Sequence, residues 1–342
     1  MNHVLGVDGG ASKTLCLVGS EDGRVLGFGR AGGSNHQVCG LSAATARIAQ
    51  CVEEALAQAG ASAAAAQVGV FCLAGADLPE DYSMLTQAME QLALCREVVV
   101  KNDTMAALRS GLSRPWGVVV VCGAGTNAAG RAPDGREIGL PGLGPISGDW
   151  GGGGEISQEM IRLIMRAWDG RGKPTVLQQT ILDELGVPSM ELLLRKLYHE
   201  ELEPDRLFGL VPLLFEAAYQ GDEVARELVK QVGTEVGVTA RTLIRRLSLQ
   251  GQDVEVVLGG GIFKAKGTLL IDSVRAVIQE VAPRASIVLP KFEPVVGALL
   301  LALEAAGVQV AGRVREKVEA TLPGELVIAG RLEANRKREV PE

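Results

Sequence analysis

Three short glycine-rich loops carry residue types suited to holding an anion. The first reads Val7-Asp8-Gly9-Gly10-Ala11-Ser12-Lys13-Thr14 and lies between two strand-like runs. Glycines let backbone N–H groups converge on an anion. Ser12 and Thr14 add hydroxyl donors and Lys13 adds charge. Asp8 is placed to hold a hydrated Mg²⁺, an ion that favours oxygen ligands. The same letters also fit a plain hairpin turn. The second loop, Cys122-Gly123-Ala124-Gly125-Thr126-Asn127, follows another apolar strand and repeats that chemistry. Two such loops, each opening a strand–turn–strand unit, suggest a phosphate chain gripped from both sides. Neither is GxxxxGK[ST], and neither runs into a helix as a dinucleotide-binding fingerprint does. The third, Leu258-Gly259-Gly260-Gly261-Ile262-Phe263-Lys264, passes from strand to loop to helix. That arrangement suits an α-phosphate or adenosine, with Gly260, Gly261 and Lys264 in contact, or is simply a strand–helix turn.

A catalytic candidate stands in Lys101-Asn102-Asp103-Thr104, where a strand ends and a short helix opens. An Asp there either caps the helix or accepts the proton of a substrate hydroxyl as that oxygen attacks phosphorus. Residues 139–155 include Gly142, Leu143, Gly144, Gly148, Asp149 and Trp150 and hold too much glycine for packing alone. Asp149 is the polar group of a loop expected to pass close to a ligand; a flexible structural loop is the plainer alternative.

These residues need elements to position them. Strands are expected at 3–8, 14–19 and 24–29, joined by glycine-bearing turns into a meander. A helix over 41–59 follows from the spacing of Leu41, Ala44, Ile48, Cys51, Val52, Ala55 and Leu56, with Ser42 helping to cap its start. Strands at 67–73 and 97–101 and helices at 81–94 and 104–109 complete the first half. At Pro115 the pattern restarts, with strands at 117–122, 127–131 and 136–138. The order strand, Gly-rich turn, strand, turn, strand thus occurs twice, which suggests a duplicated unit with a cleft between the copies. Helices are expected through 155–248, the longest at 206–219 and 222–247. Strand 254–258, helix 269–281, strand 286–289 and helix 294–306 follow. Beyond Gly312 the chain is more charged and reads as a solvated, frayed appendage, with Arg-Lys-Arg at 336–338.

The chain has 342 residues, 47% hydrophobic, with a net charge of −7 and no basic tract, which argues against nucleic acid or an anionic membrane as partner. No apolar stretch approaches the ~20 residues that span a bilayer. The six cysteines all fall in the first 122 residues without metal-ligand spacing. Cys16, Cys72 and Cys122 sit in apolar runs, so reduced, buried thiols and a cytoplasmic protein without a signal peptide are expected. Glycine numbers 44, of which 14 lie in residues 111–154 and nine in 6–33. The excess therefore belongs to the candidate sites rather than to a linker.

Together these motifs, over residues 3–308, resemble the N-acetylglucosamine kinase family and its wider group, the BadF/BadG/BcrA/BcrD-type ATPases of the sugar kinase, Hsp70 and actin superfamily. The resemblance rests on Gly6-Val7-Asp8-Gly9-Gly10 and Gly123-Ala124-Gly125-Thr126-Asn127 as phosphate loops, and on Gly32-Gly33-Ser34-Asn35-His36 as a sugar-contacting turn. Asn102-Asp103 stands as the base motif, Gly142-Leu143-Gly144 with Gly148-Asp149 as a second sugar loop, and Leu258-Gly259-Gly260-Gly261 with Lys264 as the adenosine motif.

It implies an α/β fold of two ribonuclease H-like domains with an interdomain ATP and sugar cleft. Their expected extents are 1–115 and 116–292, with a helix at 293–308 crossing back to the first and a charged tail at 309–342. It implies an ATP- and Mg²⁺-dependent kinase of an amino sugar, with Asp103 as general base and Asp8 organising Mg²⁺ through water. Asp8, Gly9, Gly10, Ser12, Lys13, Gly123, Ala124, Gly125, Thr126, Gly260, Gly261 and Lys264 would bind ATP. Asn35, His36, Asn102, Asp103, Thr126, Asn127, Gly142, Leu143, Gly144 and Asp149 would bind sugar. A homodimer is implied as well. Three departures stand out: Ala124 where a Thr is usual, Leu143 where an aromatic is frequent, and Trp150 where a Glu is usual. The rival readings are an ATPase that activates another enzyme and a sugar or nucleotide sensor without turnover.

Overall fold

The computed structural model describes residues 3–328. It begins with three antiparallel strands, β1 (His3–Gly9), β2 (Lys13–Ser20) and β3 (Val25–Gly32). A short helix α1 (His36–Cys39) and the long α2 (Leu41–Gln58) then lead to β4 (Ala66–Leu73), which pairs parallel to β1. Helix α3 (Pro79–Gln91) crosses to β5 (Glu97–Asn102), parallel to β4, and α4 (Asp103–Gly111) follows at once. Parallel neighbours require such helical crossovers, whereas the meander needs only turns. The start of α2 is capped by the backbone of Gly40, not by Ser42, which stands one residue inside the helix.

The second sheet uses β6 (Gly117–Cys122), β7 (Thr126–Arg131) and β8 (Glu137–Gly139). Helices α5 (Gly153–Trp168), α6 (Leu177–Leu185), α7 (Met190–Tyr198), α8 (Pro204–Phe208), α9 (Val211–Tyr219) and α10 (Glu223–Arg246) come next. Then follow β9 (Glu255–Gly259), α11 (Leu269–Gln279), β10 (Ser286–Val288), α12 (Pro294–Ala305) and α13 (Arg313–Thr321). The sheet orders are β3-β2-β1-β4-β5 and β10-β9-β6-β7-β8. Read from opposite edges they are the same order, the duplication expected from the repeated strand–turn pattern.

One expected helix, 206–219, is two. Gly209 and Leu210 separate α8 from α9, and Pro212 sits in the first turn of α9. A proline there has no N–H to give, and its ring would clash with the carbonyl four residues back in a continuous helix.

The chain divides into two compact units: Met1–Val119 with Ala129–Glu137 and Val288–Glu342, and Val120–Ala128 with Ile138–Ile287. In the first, β1 is apolar on both faces because both are covered. Cys51, Ala55 and Ile48 of α2 belong to the core that includes Leu5, Val7 and Cys16. On α12 every residue from Val295 to Leu303 is buried. It packs on β1, β2, β4 and α4 at backbone distance. A Cβ on Gly6 would lie 2.2 Å from the Leu299 nitrogen, and one on Gly297 would lie 1.9 Å from the Ala106 carbonyl oxygen.

The expected frayed appendage is in part a docked element. Val318 of α13 is fully buried, Lys317 pairs with Asp22 at 2.8 Å, and Thr321 Oγ1 accepts from Val25 N at 2.9 Å. Arg-Lys-Arg at 336–338 lies outside the described residues. Among those described, no helix is long and apolar enough to cross a membrane.

Candidate functional site

In the first unit, Asp8 stands near the end of β1, only 8% exposed. Burial pushes its carboxyl up to about 7, helped by the charges of Asp103 and Glu293 and opposed by Lys13. Lys13 is itself held by Glu293 at 2.8 Å. Ser12 is exposed beside it. The turn is tied by Gly10 N donating to Lys13 O and by Ser34 N donating to Gly10 O, both at 2.9 Å. Thr14 is fully buried; its hydroxyl donates to Gly32 O at 2.7 Å and lies 2.8 Å from Ser34 Oγ, which is left to donate to it. The first glycine-rich loop is therefore stitched to the first residues of the expected sugar turn, 32–34.

Asn35 caps α1: its Oδ1 accepts from Gln37 N at 2.9 Å. His36 Nε2 lies 3.7 Å from Asp81 Oδ1, and His36 Nδ1 is buried with no hydrogen-bond partner. At the end of β5, Asn102 is the cap of α4, accepting from Thr104 N at 3.0 Å. The capping role considered for Asp103 thus falls to its neighbour, and Asp103 opens the helix. Burial pushes the Asp103 carboxyl up to about 6. Asp77 adds to the rise, and the backbone N–H groups of Thr104 and Asp103 oppose it. A buried carboxylate near 6 is a competent base at neutral pH, because the two requirements of being ionised and being basic are both met.

Sequence reasoning missed Gln37 and Asp77. Gln37 Nε2 donates to Asp77 Oδ2 at 3.2 Å, and Asn102 Nδ2 donates to Asp77 Oδ1 at 3.0 Å. These bonds link the turn at 35–37 to Asn102, the residue before Asp103.

In the second unit, the loop at 122–127 lies on the start of α5. Gly153 N donates to Gly123 O and Gly154 N to Ala124 O, both at 2.9 Å. Thr126 is 6% exposed, and its hydroxyl reaches Trp150 O at 3.5 Å and Cys122 Sγ at 3.8 Å. Asn127 Oδ1 accepts from Ala128 N at 2.7 Å, and the Asn127 side chain lies against the Cα of Gly142. Asp149 Oδ2 accepts from Ser147 Oγ at 2.5 Å and from Gly144 N at 3.1 Å, so it closes the turn that contains Gly144. Leu143 is 40% exposed.

Gly260 has φ +108°, and a Cβ there would stand 2.0 Å from the Cys122 carbonyl oxygen. Only glycine allows this crossing. It sets the third loop beside the second, and a single turn of 3₁₀-helix over Gly261–Lys264 precedes the expected helix, which begins at Leu269 as α11. A cavity of about 540 Å³ opens where they meet, lined by Gly123, Ala124, Gly261 and Lys264 together with Phe208, Val211, Phe215 and Ile262. Small-molecule sites have volumes of roughly 300–1,000 Å³ and mostly apolar walls. The aromatic wall from α8 and α9 gave no signal in the sequence.

A family model of the BadF/BadG/BcrA/BcrD ATPases matches residues 5–302. The chain belongs to this family. It is 28% identical over 302 residues to an N-acetylmuramic acid/N-acetylglucosamine kinase of Clostridium acetobutylicum, covering 88% of this chain and 98% of that one. It is 29% identical over 310 residues to an N-acetyl-D-glucosamine kinase of Dictyostelium discoideum, covering 87% and 97%. Among solved structures, a ROK family glucokinase from Streptomyces griseus in complex with glucose and AMPPNP aligns with a TM-score of 0.55 at 18% identity, covering 89% of this chain and 100% of that one. A ROK hexokinase from Thermus thermophilus aligns at 0.57 with 15% identity, covering 89% and 99%. The fold is thus the α/β, ribonuclease H-like fold of actin-like ATPases and sugar kinases.

The thiols fit the expected inert role: burial pushes those of Cys51 and Cys122 up to about 12. Among the described residues, no group of three His, Cys, Asp or Glu side chains could hold a metal ion. A divalent cation here would have one protein carboxylate, Asp8, and would rely on water and phosphate for its other ligands, which fits Mg²⁺.

Proposed function

We propose that the protein is an ATP-dependent kinase of an amino sugar of the N-acetylglucosamine or glucosamine type. The observation that carries the reading is Asp103, a largely buried carboxylate held near 6, directly after Asn102, whose amide is tied through Asp77 to the turn at 35–37. The names of the relatives support the substrate class.

In this reading Asp103 accepts the proton of the sugar hydroxyl as its oxygen attacks the γ-phosphorus of ATP. Asn35, His36, Asn102, Asn127, Gly142, Leu143, Gly144 and Asp149 form or shape the sugar site. Gly9, Gly10, Ser12, Lys13, Gly123, Ala124, Gly125 and Thr126 serve the phosphates, and Gly260, Gly261 and Lys264 serve the adenosine. Mg²⁺, held through water by Asp8, would neutralise developing charge on the phosphates. The halves at 1–115 and 116–292 supply these parts, with 293–308 added to the first and 309–342 a C-terminal extension. The protein is taken to be cytoplasmic and homodimeric, binding neither nucleic acid nor membrane.

The test is ADP release from Mg-ATP across a panel of hexoses and hexosamines. An amino sugar should stimulate release in the wild type. Asp103→Asn should lower turnover by roughly 10²–10⁴-fold while nucleotide binding persists. Turnover that survives in that variant rules out the base. Tight sugar binding without ADP release in the wild type would instead favour a sensor.

A further inference from the structure

We propose that Asp77 is the positioning residue that fixes the Asn102–Asp103 strand end to the turn at 35–37, a role that rests on the kinase reading. Asp77 follows β4 and reaches two elements that are far apart in sequence. Its Oδ2 accepts from Gln37 Nε2 at 3.2 Å, and its Oδ1 accepts from Asn102 Nδ2 at 3.0 Å. The other amide proton of Asn102 goes to Ala76 O at 3.1 Å. Asn102 Oδ1 takes Thr104 N at 3.0 Å and Thr104 Oγ1 at 2.5 Å. Both donors of Asn102 and its oxygen are therefore committed to holding the first turn of α4, where Asp103 begins. An amide so committed has no donor left to give a sugar.

The backbone around Asp77 is fitted to the same purpose. Gly75 has φ +85°, and a Cβ on it would stand 2.9 Å from both Asn35 Oδ1 and His36 Cε1. Asp81 Oδ2 accepts from Asp77 N at 3.3 Å and Leu78 N at 2.9 Å, and its other oxygen faces His36 at 3.7 Å. Three segments thus converge, and Asp77 is the side chain that bonds to the two outer ones. A carboxylate is required because both donors need an acceptor at once. An asparagine in its place has one acceptor oxygen and loses one of the two bonds.

Asp77→Asn and the conservative variant Asp77→Glu test this. Glutamate keeps two acceptor oxygens for Gln37 and Asn102, whereas asparagine keeps one. Displacements of about 1 Å at a reacting group cost on the order of 10²-fold. Asp77→Asn should therefore lower kcat by roughly 10- to 100-fold and leave the KM for ATP within about threefold. Asp77→Glu should lose markedly less kcat than Asp77→Asn. Hydrogen exchange at the Thr104 amide should quicken in Asp77→Asn and less so in Asp77→Glu, a readout that needs no turnover. Unchanged kcat in Asp77→Asn, or a loss as large in Asp77→Glu, overturns the proposal. If the wild type phosphorylates no sugar, the kinase reading fails. Positioning is then decided by the Thr104 exchange alone, and no change there rejects it.

Discussion

Asp8→Asn should make the protein more stable as the pH rises, relative to wild type, while removing its Mg-ATP turnover. The Asp8 carboxyl moves from its ordinary 3.8 to about 7, chiefly because burial disfavours the charged form. From about pH 4 to pH 7 the folded chain keeps a proton at Asp8 that the unfolded chain has already released. Stability therefore falls as pH rises through that window. A shift of about 3 units corresponds to roughly 4 kcal/mol when fully developed. Part of it is already present at pH 5, so the share that develops between pH 5 and pH 8 is roughly 2–3 kcal/mol. Asparagine does not titrate. Whatever the amide costs in that pocket is the same at both pH values and cancels in the comparison. Urea unfolding of both proteins at pH 5 and pH 8, without nucleotide or metal, should show the gap between them widening by that amount in favour of Asp8→Asn. A gap that stays level, or moves the other way, refutes the claim that a buried, charged Asp8 is held at a cost. Adding Mg-ATP at pH 8 should stabilise the wild type and do less for the variant, because the ligand then offsets the charge.

Other substitutions probe the frame and the loops. Arg109 is 2% exposed and its Nε pairs with Glu304 at 2.7 Å, while Arg131 reaches the same carboxylate at 3.1 Å. Glu304→Ala should cost about 3–5 kcal/mol in urea unfolding, since it strands a buried charge, and Arg109→Met/Glu304→Leu should recover most of that. Gly297→Ala should cost at least about 1–3 kcal/mol, because the added Cβ meets backbone atoms of α4 rather than a side chain that can move. Ala124→Thr restores a hydroxyl in the second loop. A charged hydrogen-bond acceptor is worth about 1.5–3 kcal/mol, so calorimetry should show ATP binding at least roughly tenfold tighter, with sugar binding unchanged.

The strands at the middle of each sheet were legible because β1, β4 and β6 are largely apolar and buried. The expected strands at 3–8 and 14–19 fall within one residue of β1 and β2 at each end. Where periodicity failed, a backbone constraint overrode it. Apolar spacing continues across Gly209 and Pro212, yet the chain must break there, and the break helps form the wall of Phe208 and Phe215 beside the second loop. Charge misled in the same way at the C-terminal end. A helix as polar as α13 reads as solvated, but Val318 alone is enough to seat it, and Lys317 and Thr321 then find partners on β2–β3.

The site residues divide along a finer line. Asp8 and Asp103 were singled out because each carboxylate stands where a strand gives way to a turn or helix, and both prove to be largely withdrawn from water with raised pKa values. Asn35, Asn102 and Asp149 were assigned to sugar by the family resemblance, but short amides and carboxylates also cap helices and close turns. In the structure, those backbone tasks occupy them: Asn35 caps α1, Asn102 caps α4, and Asp149 closes the turn at 144–149. The residues that join the site together have no local signature. Gln37 and Asp77 are 40 positions apart, and Asp77 and Asn102 are 25 apart. They meet because β3, β4 and β5 run in the same direction, which places the chain after each of these strands on one edge of the sheet. A motif search reads each strand end separately, and hydrogen bonds between the ends are outside its reach. Substitutions at Asp77 should therefore weaken catalysis without altering any of the glycine-rich motifs by which the site was first recognised.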